Sequence, residues 1–190
     1  MISDAYATVE QYRALTGKTD TAADSLIITD LLAISRYLDG KLGRYFNKDL
    51  SDTTRLYMPD SAITTLYIED VVAITEVALE SGDSFDALTD YTLLPLNADK
   101  QPEPRPFSAI KLRSSVFPAD TQVRVTGIHG WPAVPDAVQR ATIHLAAILR
   151  IESPRATRRI SELGDSIETS DDAMSIIRQL TDRYRRVSYV

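Results

Sequence analysis

No cysteine occurs among the 190 residues, which excludes every disulfide and every thiolate metal site. Histidine is almost as scarce: His129 and His144 are the only two, too few for an ordinary zinc cluster. No apolar run approaches the roughly 18 to 20 residues that cross a bilayer. The opening residues lack the charged, apolar and small-residue sections of a signal peptide. The expectation is a soluble chain made in the cytoplasm, without membrane contact, cofactor or metal, whose stability comes from packing or assembly. With 44% hydrophobic and 25% charged residues it sits in the ordinary globular range, long enough to bury about 70% of its unfolded surface. One compact domain, or one domain with an insertion, is the default.

A contiguous excess of positive charge is missing too. The net charge is −6. Residues 1–154 carry 14 Lys or Arg against 21 Asp or Glu, and residues 155–190 carry seven against six. An acidic body with a balanced tail argues against a dedicated duplex-DNA binder, which neutralises phosphates with a continuous basic face. It suits a protein past which DNA slides.

Along the chain, Thr8 and Gln11 stand at capping-box spacing and Gly17 closes a short first helix. Thr21 and Asp24 repeat the capping pattern. Ile27, Leu31, Ile34, Leu38 and Leu42 then recur at four, three, four and four residues, one buried helical stripe. Asp24, Asp30, Arg36, Asp39 and Lys41 lie mostly off it, facing water. After Gly43 and Arg44, the aromatics Tyr45 and Phe46 can anchor the next turn to the core. From Thr53 to Thr126 the pattern changes to short apolar or alternating runs, the reading for antiparallel strands. The predicted strands are Thr54 to Met58, Ile63 to Ile68, Val71 to Leu79, Tyr91 to Leu94, Ala109 to Leu112 and Gln122 to Thr126. Pro95, Pro102, Pro104 and Pro106 exclude regular pairing between Leu94 and Phe107 and mark an exposed excursion.

The sharpest landmark runs from Gly127 to Pro135, where Gly127, Gly130, Trp131 and Pro135 read as a structural turn from strand to helix. A helix from about Pro135 to Ile151 follows, packing through Val138, Ala141, Leu145, Ile148 and Leu149. Arg155 to Ser170 reads as an irregular loop or short hairpin around Gly164, and a last helix is expected from about Asp171. The fold class expected is α+β: mainly an α-helical bundle of about four helices from residues 1–50 and 127–190, with an antiparallel β-rich insertion over 51–126.

This order of elements, with Tyr6-Ala7-Thr8-Val9-Glu10-Gln11-Tyr12, Arg44-Tyr45-Phe46, and Val123-Arg124-Val125-Thr126-Gly127 leading through Val134-Pro135 to Ala141, resembles the phage head-tail connector or head-to-tail adaptor family. The resemblance covers nearly the whole chain. It implies a structural, non-enzymatic subunit of a closed ring, commonly dodecameric, docked on the portal protein beneath the capsid and met on its other side by a tail-side stopper or connector protein. Genomic DNA would pass through without sequence specificity. The place implied is the virion neck, assembled in the cytoplasm of a bacterial host. The portal-docking residues expected are Arg178, Arg183, Tyr184, Arg185, Arg186 and Tyr189, since arginine and tyrosine are enriched at binding hot spots. Arg155, Arg158, Arg159 and Gly164 are the expected ring or channel loop.

The competing readings are weaker. Gly17-Lys18-Thr19 imitates the end of a phosphate-binding loop, but Tyr12 stands where its first glycine belongs and no strand precedes it. His129 and His144 have no serine or cysteine motif beside them. Trp131 could stack on a ligand, although a core plug is the simpler role. Asp83, Asp86 and Asp90 lack the spacing of a calcium loop. A nucleic-acid-binding or other interaction module using Arg155, Arg158, Arg159, Arg183, Arg185 and Arg186 is the alternative, diluted by the neighbouring Glu162, Asp165, Glu168, Asp171, Asp172 and Asp182.

Overall fold

The computed structural model describes residues 4–151, apart from 18 and 20, together with residues 175, 178, 179 and 181–186. The chain divides into two compact units, Met1–Arg44 with Val134–Val190, and Tyr45–Ala133. Residues 45–50 and 127–133, assigned from the sequence to the helical part, therefore lie in the second unit.

The first unit is built on three α-helices, α1 (Val9–Thr16), α2 (Asp24–Leu42) and α3 (Asp136–Ile151). Thr8 starts α1 with both bonds of a capping box: the Gln11 amide donates to Thr8 Oγ1 at 3.2 Å and the Thr8 amide to Gln11 Oε1 at 2.9 Å. Gly17, left-handed at φ 68°, ends it by donating to the Arg13 carbonyl. The predicted stripe of α2 is buried at all five positions, each such side chain contributing about 1.5–3 kcal/mol of burial. Thr21 and Asp24 form no side-chain cap, because Asp24 is taken by Arg13 of α1. Arg150 of α3 donates from Nε to Asp30 of α2 at 2.7 Å, and Gln11 Nε2 reaches Gln139 Oε1 of α3 at 2.8 Å. Each pair of helices is thus tied by one polar bond in addition to the core. Tyr6, next to the cap, is buried; its amide donates to Ser35 and its hydroxyl to Asp39.

The second unit is a six-stranded antiparallel sheet: β1 (Thr53–Tyr57), β2 (Thr65–Ser81), β3 (Ser84–Ala87), β4 (Tyr91–Leu94), β5 (Phe107–Leu112) and β6 (Val123–His129). The order is β1-β6-β2-β5-β4, with β3 on β2. β2 serves three partners, β5 along its first half, β6 along its second and β3 at its end, with register shifts between Tyr67 and Val71 and again after Val71 and Ile74. Leu66, Ile68, Val71, Val77, Ile110, Leu112, Phe117, Val123 and Val125 form the core.

The expectation of a mainly helical, roughly four-helix bundle is corrected here. Three α-helices are described along their length, and the six strands hold as many residues as those helices do; Ser175, Arg178, Gln179 and Thr181 are also helical. The reasons are local. Ile63 to Ile68 and Val71 to Leu79 read as two strands, but the chain runs on through Glu69 and Asp70 as one bulged strand. Gly127 read as the start of a turn, yet it is paired within β6, which runs on to His129. β3 is only four residues long and left no readable alternation. The expected last helix falls mostly outside the described residues.

His129 is fully enclosed in β6. Neither ring nitrogen meets a hydrogen-bond partner of good geometry among the described residues, and the backbone of Thr53 and Val125 offers only weak polar contact. Burial, and then the positive charge of Arg55, hold its proton affinity below the ordinary pKa of 6.5, with Asp49 opposing.

Two outcomes follow from these environments. A Cβ on Gly130, whose φ is +104°, would meet the Asn47 carbonyl oxygen at 2.0 Å, whereas one on Gly40 of α2 meets nothing within 4 Å. In urea titrations Gly130→Ala is expected to destabilise by about 2–4 kcal/mol and Gly40→Ala to stabilise by about 0.5–1 kcal/mol. For His129 the folded pKa is depressed, so its contribution is fully present above 6.5 and is lost as the pH falls toward the folded value, where only the unfolded chain takes up the proton. Denaturation at about pH 7.5 and about pH 5.5 should show stability falling on acidification. His129→Leu should flatten that dependence.

Candidate functional site

The landmark around Gly130 and Trp131 packs the second unit closed. Tyr45 to Asp49 enters that unit and His129 to Ala133 leaves it, and the two passages touch backbone to backbone. The Asp49 amide donates to the His129 carbonyl at 2.8 Å, and Gly130 lies directly against Asn47 and Lys48. Trp131, only 3% exposed, packs on Phe46 with ring centroids 5.1 Å apart. Its Nε1 donates to Asp70 Oδ2 at 2.9 Å, while the Gly130 amide donates to the Asp70 carbonyl at 2.8 Å. Asp70 is itself buried, and a buried carboxylate needs such donors. Trp131 is therefore a plug with its polar tip bonded inside the protein. The sequence reading missed Asp70; its signal was an acid interrupting an apolar strand run. Pro135 is buried and immediately precedes α3, its carbonyl accepting from the Val138 and Gln139 amides.

The described residues near the C-terminus lie against α2 of the same unit. Arg178 lies close enough to Tyr37 to favour its phenolate, although burial, the larger effect, raises that phenol. Thr181 and Tyr184 are buried, and the Arg186 amide donates at 2.8 Å to the carbonyl of Leu42 in the last turn of α2. The Arg183 guanidinium sits 4.6 Å from the centre of the Tyr184 ring and bonds its hydroxyl. Of the residues expected to dock, Arg178, Arg183, Arg185 and Arg186 are exposed, while Tyr184 points inward and works as an anchor. Tyr189 lies outside the described residues, as do Arg155, Arg158, Arg159 and Gly164.

The remaining candidates do not converge on a reacting centre. Gly17 is the C-cap of α1. Asp39, half-buried, is pushed toward its neutral form by burial and held back by Tyr6 and Arg36, which tie the chain start to α2. Asp83 sits at the exposed turn between β2 and β3, and Asp90 faces Arg113. The proline-rich stretch folds around a 3-10 turn at Ala98–Lys100, closed by the Arg105 amide on the Ala98 carbonyl at 3.0 Å. It borders an open cleft of about 460 Å³ lined by Pro95, Leu96, Pro102 and Arg105 among others. Among the described residues no group of three or more His, Asp or Glu is placed to hold a metal ion, and no helix is long and apolar enough to cross a membrane.

No family model matches the chain, and no curated protein does. Among solved structures, a chain in the neck of an empty GTA particle, computed with C6 symmetry, aligns with a TM-score of 0.59 and 17% sequence identity, over 100% of this chain and 94% of that one. The protein therefore has the fold of a chain from the neck of a phage-like particle, in agreement with its resemblance to the head-tail connector family.

Proposed function

We propose that this protein is a structural, non-enzymatic neck subunit of a tailed-phage-like particle: an adaptor whose copies form a ring beneath the portal and link capsid to tail. The observation that carries the proposal is the full-length match in fold to a chain of a particle neck. The sequence resemblance, drawn from other features, supports the same role. That neck was computed with C6 symmetry, and a ring of twelve copies contains a sixfold axis, so a dodecamer is compatible with it. A head-to-tail contact repeated around such an axis closes on itself.

In this reading the portal protein and a tail-side stopper are the partners, the virion neck is the location, and the genome passes through the ring without being read. The exposed Arg178, Arg183, Arg185 and Arg186, held in place by the buried Tyr184, form the portal-docking end together with Tyr189. Arg155, Arg158, Arg159 and Gly164, outside the described residues, are assigned to the ring or channel contact. No step of the role needs a cofactor, and no residue is assigned to chemistry.

Light scattering on the purified chain over a concentration series, alone and with portal protein, is the direct test. A ring-sized species in either run is expected. A chain that stays monomeric and ignores portal overturns the proposal. The double substitution Arg178→Glu/Arg185→Glu should leave the circular-dichroism melt unchanged and weaken portal association at least about tenfold, as loss of hot-spot arginines does.

A further inference from the structure

A helix that packs on one side keeps polar residues on the other. α3 obeys this: its outward positions are Asp136, Arg140 and His144. α2 does not. Away from its buried stripe it exposes Leu26, Ile28 and Leu32, at 60%, 44% and 39%. Ile28 and Leu32 stand one turn apart on the same side, with Ser25 and Thr29 between them and Leu26. Asp24 and Asp30, the charged residues of these first three turns, are turned to internal use: Asp24 pairs with Arg13 and Asp30 with Arg150. The next charge outward is Arg36. Covering this face would bury apolar side chains and two hydroxyls and would strip water from no uncompensated ion.

The charge of the two units says what covers it. Tyr45–Ala133 holds thirteen Asp or Glu against seven Lys or Arg, a net −6, whereas the other unit holds fourteen of each. The whole net charge of the chain therefore lies in the β unit. From Val77 to Asp99 there are five acids and no base. Two copies approaching through their β units repel, and two approaching through their neutral helical units do not.

We infer that the outward face of α2, centred on Leu26, Ile28 and Leu32, is the surface through which one copy of this protein contacts the next. The inference rests on the ring proposed above and names its contact. A ring contact is heterologous, so α2 of one copy meets a different surface of its neighbour. The three side chains are the centre of a contact that, at standard size, covers about 800 Å² on each partner.

Sedimentation velocity on the full chain at low and high salt, with and without portal protein, tests this. Salt screens the repulsion between acidic units, so wild-type self-association should strengthen as salt rises. Ile28→Glu/Leu32→Glu should weaken it at least about tenfold with an unchanged circular-dichroism spectrum. Leu56→Glu/Met58→Glu, at positions still more exposed on the β unit, should change it less than about twofold. If the α2 pair associates as the wild type does, or if the β pair is the one that abolishes association, the assignment of the contact is wrong while the ring reading stands. An α2 pair that loses portal binding but keeps self-association makes this face a portal contact and overturns the inference. Wild-type protein that never associates, with or without portal, removes the ring reading and this inference with it.

Discussion

The structure depends on one close approach, where the backbone at Gly130 rests on the backbone at Asn47. A side chain at Gly130 would put carbon 2.0 Å from the Asn47 oxygen, so the contact exists only because that position has no Cβ. It joins the passage that enters the β unit to the passage that leaves it. Around it, Asp49 bonds His129, Trp131 bonds Asp70, and Phe46 packs on Trp131. An insertion of this length can be closed for a modest loop entropy once its two ends are pinned, because that cost rises only slowly with length. The pin also fixes β2: Asp70, the acceptor for both Trp131 and Gly130, sits in the register shift between Tyr67 and Val71.

Features governed by near neighbours were legible in the sequence. The Thr8 and Gln11 cap, the Gly17 terminus, the α2 stripe and the strand Tyr91 to Leu94 all follow from residues within one or two turns of each other. Features governed by distant contacts were not. Glu69 and Asp70 looked like a break between strands, because nothing local reveals that Trp131 supplies a donor to a buried carboxylate. Gly127 looked like a turn for the same reason: its glycine is required by the Ala73 carbonyl of the paired strand, 2.2 Å from where a Cβ would stand. Asp24 stood at a capping position and was drawn away by Arg13. The misreadings at Glu69, Asp70 and Gly127 favoured turns over strands, which is why the sheet was underestimated.

The candidate site divides along the same line. The arginines near the end of the chain were readable as a basic, exposed group by composition. That Tyr184 turns inward, and so holds those arginines against α2, depends on a contact with a helix more than a hundred residues earlier in the chain. The acids of α2 were read as a solvated face, yet Asp24 and Asp30 bind arginines of the neighbouring helices, and Asp39 receives Tyr6 and Arg36. Removing those acids from the solvent-facing set leaves leucine and isoleucine as the dominant outward groups of the first three turns.

The same pairing bears on nucleic acid. Gripping phosphates takes a contiguous set of arginines and lysines free to shed counterions. In the helical unit Arg13, Arg36 and Arg150 are committed to Asp24, Asp39 and Asp30, and in the β unit Arg55 and Arg124 are committed to Glu69 and Glu76. The fold thus uses much of its positive charge to hold elements together and leaves the acid excess on the β unit outward. Such a surface repels a duplex over the Debye length of about 8–10 Å instead of holding it, the opposite of what the contiguous basic face of a duplex-DNA binder does.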